Sequence, residues 1–287
     1  MMLWLLNIFA YIINAVVVGV STFGVLGRTN AEISDDYPTL ITPDDWAFSI
    51  WGLIFLTELI FVVWGAWGDN RSSKILYEGV GCWFGLACIL QAAWSVAFAQ
   101  ESLIASAVLL CGIAFSLGLS VASLSTFKSE AEVLYLSIPF WTVHFPIGLH
   151  GGWTLAAALV NITVALELES VSSEVAALIL AIVGASFAAA VASIVFYDQV
   201  YLLAIAWAVG GIASKQDYRI ERLEESINDG VTEGLNVLWI ALLCVGVLGF
   251  ISSMRQRNRH AHEMEEKGLT TRRAGGDEGA TRAMFSS

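Results

Sequence analysis

The stretch from Tyr37 to Gly68 constrains this chain more than any other, because a polar loop in it leads into a long apolar run. Trp46 and Trp67 bracket that run and are 21 residues apart, or roughly 31 Å along an α-helix that rises about 1.5 Å per residue. This length matches the roughly 30 Å hydrocarbon core of a bilayer, and tryptophan favours both membrane–water interfaces. Two aspartates directly before Trp46 can cap the start of the helix and favour its positive end. The stretch predicts a transmembrane helix with both ends marked.

The composition extends this prediction to the whole chain. Of its 287 residues, 57% are hydrophobic and only 14% are charged, which excludes a soluble globular domain and indicates a polytopic membrane protein. The net charge of -12 lies in the loops and the tail, so it does not indicate a nucleic-acid partner; the expected partner is the lipid bilayer. The four cysteines lie in apolar runs without disulfide or metal-ligand spacing, and we interpret them as small core residues.

Apolar runs along the chain predict an all-α bundle of about eight transmembrane helices. The fifth run contains Pro139, Pro146 and a Gly-Gly pair, which predict a kink or a break. The seventh run is short for a crossing, and a charged amphipathic segment at 214–233 follows it. We expect the tail at 254–287 to be disordered. The predicted spans cover residues 3–25, 46–67, 76–99, 102–124, 133–166, 175–196, 200–213 and 235–251.

The distribution of basic residues predicts the orientation. With eight crossings both termini lie on the same side, and that side carries ten of the 14 lysines and arginines, against four on the other. Cytosolic loops carry an excess of these residues, so we expect cytosolic termini in a multi-pass protein. The pattern does not indicate which membrane holds the protein.

Polar side chains within three of the spans are candidates for a binding site. Glu58 lies near the middle of the second span, on one helical face with Trp51 and Phe55. A carboxylate is costly among lipid tails, so we expect it to face the bundle and to find a hydrogen-bond partner. Two interpretations stay open for Glu58, a bond that holds helices together and the wall of a pocket.

The third and fifth spans repeat this combination of aromatic and polar residues. Gln91 and Trp94 share a face of the third span, and His150, Trp153 and Asn161 lie close together on the fifth. Small-ligand sites are mostly apolar with a few convergent polar groups, and aromatic faces suit a flat ring system. We therefore predict one cavity between spans two, three and five, with the loop at 27–45 as its lid. The histidine spacing in span five does not favour a metal site.

Three segments resemble the tryptophan-rich sensory protein and translocator protein family. They are TPDDWAFSIWGLIFL in the first loop and second span, LQAAWSVAF in the third span and IPFWTVHF in the fifth. The resemblance implies a five-helix core at 1–166, followed by three additional helices at 167–253 as in larger relatives. Gln91 stands where the family has an asparagine, and the triplet at 150–152 extends span five.

The resemblance also implies a function and a set of residues. Family members are similar in binding tetrapyrroles and sterol-like ligands inside the bundle, so a tetrapyrrole is the implied ligand, whereas the residues themselves assign no cofactor. Glu58 and His150 are not family motif positions and come from the helical pattern alone. The pocket positions that the motifs imply are Trp46, Trp51, Gln91, Trp94, Pro139 and Trp141.

Two function classes remain after the motif search. The chain contains no Walker, Rossmann or zincin motif and no readable Ser-His-Asp arrangement, so we expect binding rather than catalysis. The first class is a membrane-embedded protein that binds or senses a hydrophobic ligand. The second is a secondary transporter of a small solute, because a broken fifth span and a short seventh span are typical of transporter substrate sites. The absence of an internal repeat favours the binding protein, and a homo-oligomer stays open.

Overall fold

The computed structural model describes residues 2–39, 41–126, 137–166, 198–216 and 233–252, together with residues 184 and 255, and its regular elements there are helical. The α-helices are α1 (Leu3–Thr22), α2 (Asn30–Asp36), α3 (Ile50–Gly65), α4 (Trp83–Ala99), α5 (Leu103–Ser125), α6 (Phe145–Ala165), α7 (Gln199–Gln216) and α8 (Glu233–Ser252). Short 3₁₀ helices occupy Asp45–Ser49 and Gly68–Ser72, and π-helical turns occupy Ile75–Val80 and Phe140–His144.

Five helical segments of the described chain are long and apolar enough to cross a membrane. They are α1, α3 with the 3₁₀ turn before it, α5, α6 with the π turn before it, and α8. The helices α4 and α7 are apolar but shorter. The sixth predicted span, the charged segment that follows α7 and the tail lie outside the described residues, apart from residue 184 of the sixth span and a few positions of the other two segments. The structure therefore supports a multi-pass helical membrane protein, while eight crossings stay a prediction.

The chain separates into two compact units, residues 1–247 and 248–287. In the first unit five helices form a closed ring, in which α1 contacts α4, α4 contacts α5, α5 contacts α6, α6 contacts α3, and α3 contacts α1. The helix α7 packs on the outside of α6 and touches the 3₁₀ helix Asp45–Ser49. In the second unit, the described residues 248–252 continue α8.

The surface pattern of this ring is that of a protein in lipid. Large apolar side chains such as Phe9, Val108 and Phe115 are exposed, whereas the polar side chains of Asn14 and Gln91 are buried. Lipid tails are as apolar as these exposed side chains, and polar groups are satisfied only inside the bundle. The interpretation of all four cysteines as core residues is wrong for three of them. Only Cys88 is buried, and the other three are exposed on the surface of the protein.

The described part of the fifth predicted span, residues 137–166, is continuous rather than broken. The π turn Phe140–His144 leads directly into α6, so the two form one apolar segment of 26 residues, Phe140–Ala165. Pro146 lies at the first turn of α6, where its missing N–H costs little, and the π turn absorbs the local irregularity. Of the predicted kink or break, the described residues 137–166 therefore show no break, and the irregularity within them is the π turn.

The Gly-Gly pair of that span serves close packing. A Cβ atom on Gly151 would lie 2.9 Å from the Tyr201 ring of α7, and one on Gly152 would overlap the Tyr201 carbonyl oxygen. The two glycines thus let the backbones of α6 and α7 approach each other. Sequence alone does not reveal this, because the partner surface is about fifty residues further along the chain.

Candidate functional site

A cavity lies between α3, α4, α6 and the loop that contains α2. Its volume is about 60 Å³, and among the described residues no charged side chain lines it. The prediction of a cavity between spans two, three and five under a loop is confirmed. The lining residues are Asn30, Ile33, Ser34, Tyr37, Thr42, Pro43, Phe48, Trp51, Trp94, Phe98, Leu110, Trp153, Ala156, Ala157, Val160, Asn161 and Val164.

Aromatic rings form much of the wall. Trp153 packs edge-on against Phe48 and Trp51, with ring centroids 5.8 Å and 6.2 Å away, and Trp94 stacks on Phe98 at 5.2 Å. Edge-to-face and offset contacts of this kind hold aromatic rings in fixed orientations. The cavity thus has rigid aromatic surfaces contributed by the ring helices and by the 3₁₀ helix before α3.

Two hydrogen-bond donors at the cavity lack acceptors. Trp94 and Trp153 are 8% and 2% exposed, and within the described part of the chain neither indole N–H has a partner. A buried tryptophan usually places its N–H on an acceptor, because an unpaired buried donor costs free energy. On the same wall Asn161 already accepts a bond from Ser106, at 2.6 Å. The two indoles are therefore the unsatisfied donors of the aromatic wall.

The loop above the cavity, together with the 3₁₀ helix Asp45–Ser49 at its end, is a structured lid, which therefore extends a few residues beyond the predicted 27–45. The helix α2 begins with a capping box, in which Thr29 and Glu32 satisfy each other's backbone N–H groups, and Ile33 of α2 is fully buried against the cavity. These bonds, first of all the one from the Thr29 backbone, hold the pKa of the Glu32 carboxyl below its usual range. The pattern Thr-x-x-Glu is readable in the sequence, and it would have predicted this helix.

Salt bridges and a hydrogen bond fasten the α2 side of the lid to the turn between α4 and α5. Arg28 pairs with Asp36 of the lid and lies 3.4 Å from Glu101 of that turn, and Tyr37 donates to Glu101 at 3.2 Å. The hydrogen bond to Asp36 is the main cause that raises the pKa of Arg28. The lid is therefore attached to the ring at this end by exposed polar contacts.

Glu58 and His150 form a buried pair beside the cavity. Glu58 Oε1 and His150 Nδ1 lie 2.6 Å apart, and both side chains are 0% exposed. The expectation that Glu58 faces the bundle and finds a partner is confirmed. Neither residue lines the cavity; the ring of Trp51, which does, contacts His150 edge-on at 5.7 Å. The pair joins α3 to α6 directly behind the aromatic wall.

Gln91 has a similar role between α1 and α4. Its Oε1 accepts a hydrogen bond from Asn14 Nδ2 at 2.8 Å, and both side chains are buried. Gln91 therefore lies on the inward face of α4, as predicted, but below the cavity wall rather than on it. The bond links two helices of the ring.

The remaining predicted site residues fall into two groups, those at the cavity wall and those away from it. Trp51, Trp94, Trp153 and Asn161 line the cavity. Phe55 is half-buried beside Trp51, with ring centroids 6.1 Å apart. The residues placed away from the cavity wall are Trp46, Pro139 and Trp141.

These three positions have other neighbours. Trp46 is 41% exposed and contacts Trp207 and Ser214 of α7, while Trp141 is 43% exposed and packs against Phe145. Pro139 precedes the π turn Phe140–His144. Motif spacing cannot distinguish a residue on the cavity wall from one at its outer rim, because both belong to the same aromatic segment.

Metal binding has no support in the geometry. Among the described residues, no group of three histidine, cysteine, aspartate or glutamate side chains is arranged to hold a metal ion. The contact of His150 with Glu58 occupies one of its two ring nitrogens. A ligand of the cavity would meet aromatic faces, the two indole N–H groups and polar side chains such as Asn30 and Thr42.

Fold and site together define a class, that of multi-pass helical membrane proteins with a lidded aromatic cavity inside the bundle. The model of the TSPO-like protein family matches residues 4–254, so the chain belongs to that family. The match extends through α7 and α8, beyond the five-helix ring. Comparisons with the curated proteins and with the solved structures found no match.

Proposed function

We propose that this protein binds a flat, hydrophobic, uncharged small molecule that carries hydrogen-bond acceptors, in the cavity beneath the lid. The single observation that carries the proposal is the pair of buried indole N–H groups of Trp94 and Trp153, two residues that line the cavity, which have no partner among the described residues. A ligand acceptor would satisfy them and so gain affinity and orientation. Tetrapyrroles and sterol-like molecules are the ligand classes that the family resemblance implies.

The cavity also indicates the charge of the ligand. No charged side chain among the described residues lines it, and a carboxylate moved into such a space without a partner loses its hydration at high cost. We therefore expect the dimethyl ester of protoporphyrin to bind more tightly than protoporphyrin itself, because the ester keeps the ring and the acceptors but not the two carboxylates.

Quenching of tryptophan fluorescence in detergent-purified protein tests the proposal. The dimethyl ester and the sterol ketone cholestenone are titrated separately into the parent protein. Trp51→Ala and Trp94→Ala each remove part of the cavity wall, so both variants should lose the ligand-induced quenching. Both should stay folded. Trp67→Ala is the matched control, since Trp67 is 75% exposed and lies away from the cavity. Equal affinity in the two wall variants and the parent contradicts the proposal.

A secondary transporter is the second candidate, and the buried pair of Glu58 and His150 is the observation that favours it. Ionisable residues inside membrane bundles commonly mark proton or solute pathways. The described residues 137–166 show no break, which weakens the transporter argument from span five, whereas α7 is still shorter than the five candidate crossings. Uptake of a solute into proteoliposomes that stops in Glu58→Gln would support transport over simple binding.

The topology belongs to the same proposal. We infer eight crossings with both termini in the cytosol, on the basis of the apolar runs and the ten-to-four distribution of basic residues. Accessible tags on the two termini should report the same side of the membrane. Tags on opposite sides would remove one crossing from the predicted eight.

A further inference from the structure

The cavity is too small for a ring-shaped ligand while the lid is in place. Its volume of about 60 Å³ compares with roughly 300–1,000 Å³ for small-molecule sites in proteins. Thr42, Pro43 and Phe48 contribute part of the wall, and all three belong to the end of the lid next to α3. If a ligand binds there as proposed above, this part of the lid has to move outward.

The helix α7 holds that end of the lid, although none of its described residues lines the cavity. Its Gly211 carbonyl accepts a hydrogen bond from the Asp44 backbone N–H at 2.9 Å. The Trp207 indole donates to the Ala47 carbonyl at 2.8 Å, and Ser214 Oγ accepts from the Trp46 indole at 2.9 Å. Lid residues 44, 46 and 47 are thus each bonded to α7.

The helix α7 and the lid also pack closely against each other. A Cβ atom on Gly211 would lie 2.6 Å from Ala47 Cβ and 3.1 Å from Pro43 Cβ, so α7 approaches the lid closely only because residue 211 is glycine. The rings of Trp46 and Trp207 meet edge to face, with centroids 4.9 Å apart. These backbone and indole contacts define the attachment of the lid to α7. The ion pair of Lys215 with Asp45 contributes little, because its atoms are 3.9 Å apart and Asp45 is highly exposed.

We propose that α7 is a latch that holds the lid closed over the cavity, with Trp207, Gly211 and Ser214 as its positioning residues. The inference rests on the proposed ligand binding in the cavity. A ligand that binds only the open lid has an apparent dissociation constant raised by the small fraction of open protein. Loosening the latch therefore tightens binding and speeds association, which is the opposite of what damage to a binding site does.

The first test weakens the latch by one side chain at a time. Trp207→Phe removes one bond, to the Ala47 carbonyl, whereas Ser214→Ala removes two, from the Trp46 indole and to the Asp44 carboxylate, so its effect should be the larger. Loss of one neutral hydrogen bond shifts such an equilibrium by about two- to tenfold. We expect stopped-flow association of protoporphyrin dimethyl ester to accelerate, and its dissociation constant to fall, by that factor. Ser72→Ala and Trp67→Phe, in exposed positions away from the lid, serve as matched controls and should leave both constants unchanged.

The second test places a wedge under the lid and then removes it. Gly211→Ala puts a methyl group against Ala47, so it should also accelerate association. Adding Ala47→Gly to that variant removes the nearest clash and should bring the rate back toward that of the parent. A merely structural effect of Gly211→Ala would not be reversed by a change on the lid.

Hydrogen–deuterium exchange provides a readout that needs no ligand. The latch predicts faster exchange of lid amides, among them those of Asp44 and Ala47, in Ser214→Ala and Gly211→Ala than in the parent. Unchanged exchange and unchanged or weaker binding in both variants overturn the latch. If exchange accelerates but the parent protein binds neither the porphyrin ester nor cholestenone, the latch stands and the proposed ligand binding fails.

Discussion

In the middle of the bundle, some buried polar side chains meet partners on other helices, while others, such as Asn7, have none among the described residues. Glu58 of α3 contacts His150 of α6, and Asn14 of α1 donates to a glutamine of α4. At the cavity, the indole N–H groups of two equally buried tryptophans have no partner among the described residues. The two regions share the same ring of helices, so the comparison is between polar groups that join helices and the two unpaired indoles of residues that line the cavity.

This comparison makes opposite predictions for substitutions in the two regions. Removing a partner in the middle of the bundle should destabilise the fold without a specific effect on ligand binding. Removing an indole N–H at the cavity should weaken ligand binding without destabilising the fold, because no described residue accepts a hydrogen bond from that donor.

The largest effect is expected for Glu58→Lys. This variant places a second basic group against His150 in a fully buried position, and an uncompensated buried charge costs about 3–5 kcal/mol. We expect loss of monodisperse protein in size-exclusion chromatography. Glu58→Gln keeps a hydrogen-bonding partner for His150 and should elute and melt nearly as the parent does. A Lys variant as stable as the Gln variant would show that Glu58 faces water.

A smaller effect is expected for Gln91→Leu. The substitution leaves Asn14 Nδ2 without its acceptor, and an unsatisfied buried donor costs about 1–3 kcal/mol. The melting temperature in detergent should fall, and the double variant Asn14→Leu, Gln91→Leu should recover part of the loss. Ligand affinity should stay unchanged in both variants, since neither side chain lines the cavity. A lost affinity would place Gln91 in the site.

The smallest effect concerns the lid and pH. The pKa of Glu32 is lowered in the folded lid, so its capping contribution is present above the ordinary value of about 4.5 and is lost as the pH falls through the lowered value. Hydrogen exchange in residues 29–37, corrected for the intrinsic pH dependence, should rise below about pH 4.5 relative to pH 7. The uncharged cap in Glu32→Gln should show no such rise, and an equal rise in both proteins would assign the effect to another group.

Sequence patterns predicted the parts of this site that depend on helical spacing. The faces that contain Glu58, Gln91 and Trp153 all point into the bundle, because burial follows the 3.6-residue period and the cost of polar groups in lipid. The pairing of Glu58 with His150 was not predicted, since helical spacing determines which way a side chain points and not which helix it meets.

Contacts distant in sequence explain the other misses. The lining residues Ile33 and Phe48 belong to short helices at the lid, and their place depends on how the loop folds back over the ring. The role of Gly211 depends on a lid residue more than 160 positions earlier in the chain. No local pattern in a sequence encodes such an encounter.

The central claim is that the unpaired indole N–H groups of Trp94 and Trp153 bind acceptors of the ligand, and one titration tests it most directly. Protoporphyrin dimethyl ester is titrated into the parent, Trp94→Phe, Trp153→Phe and the control Trp67→Phe, and the melting temperature of each is recorded. The account predicts an affinity about two- to tenfold weaker in each of the two cavity variants, at unchanged melting temperature, and parental affinity in the control. Parental affinity in both cavity variants would contradict it.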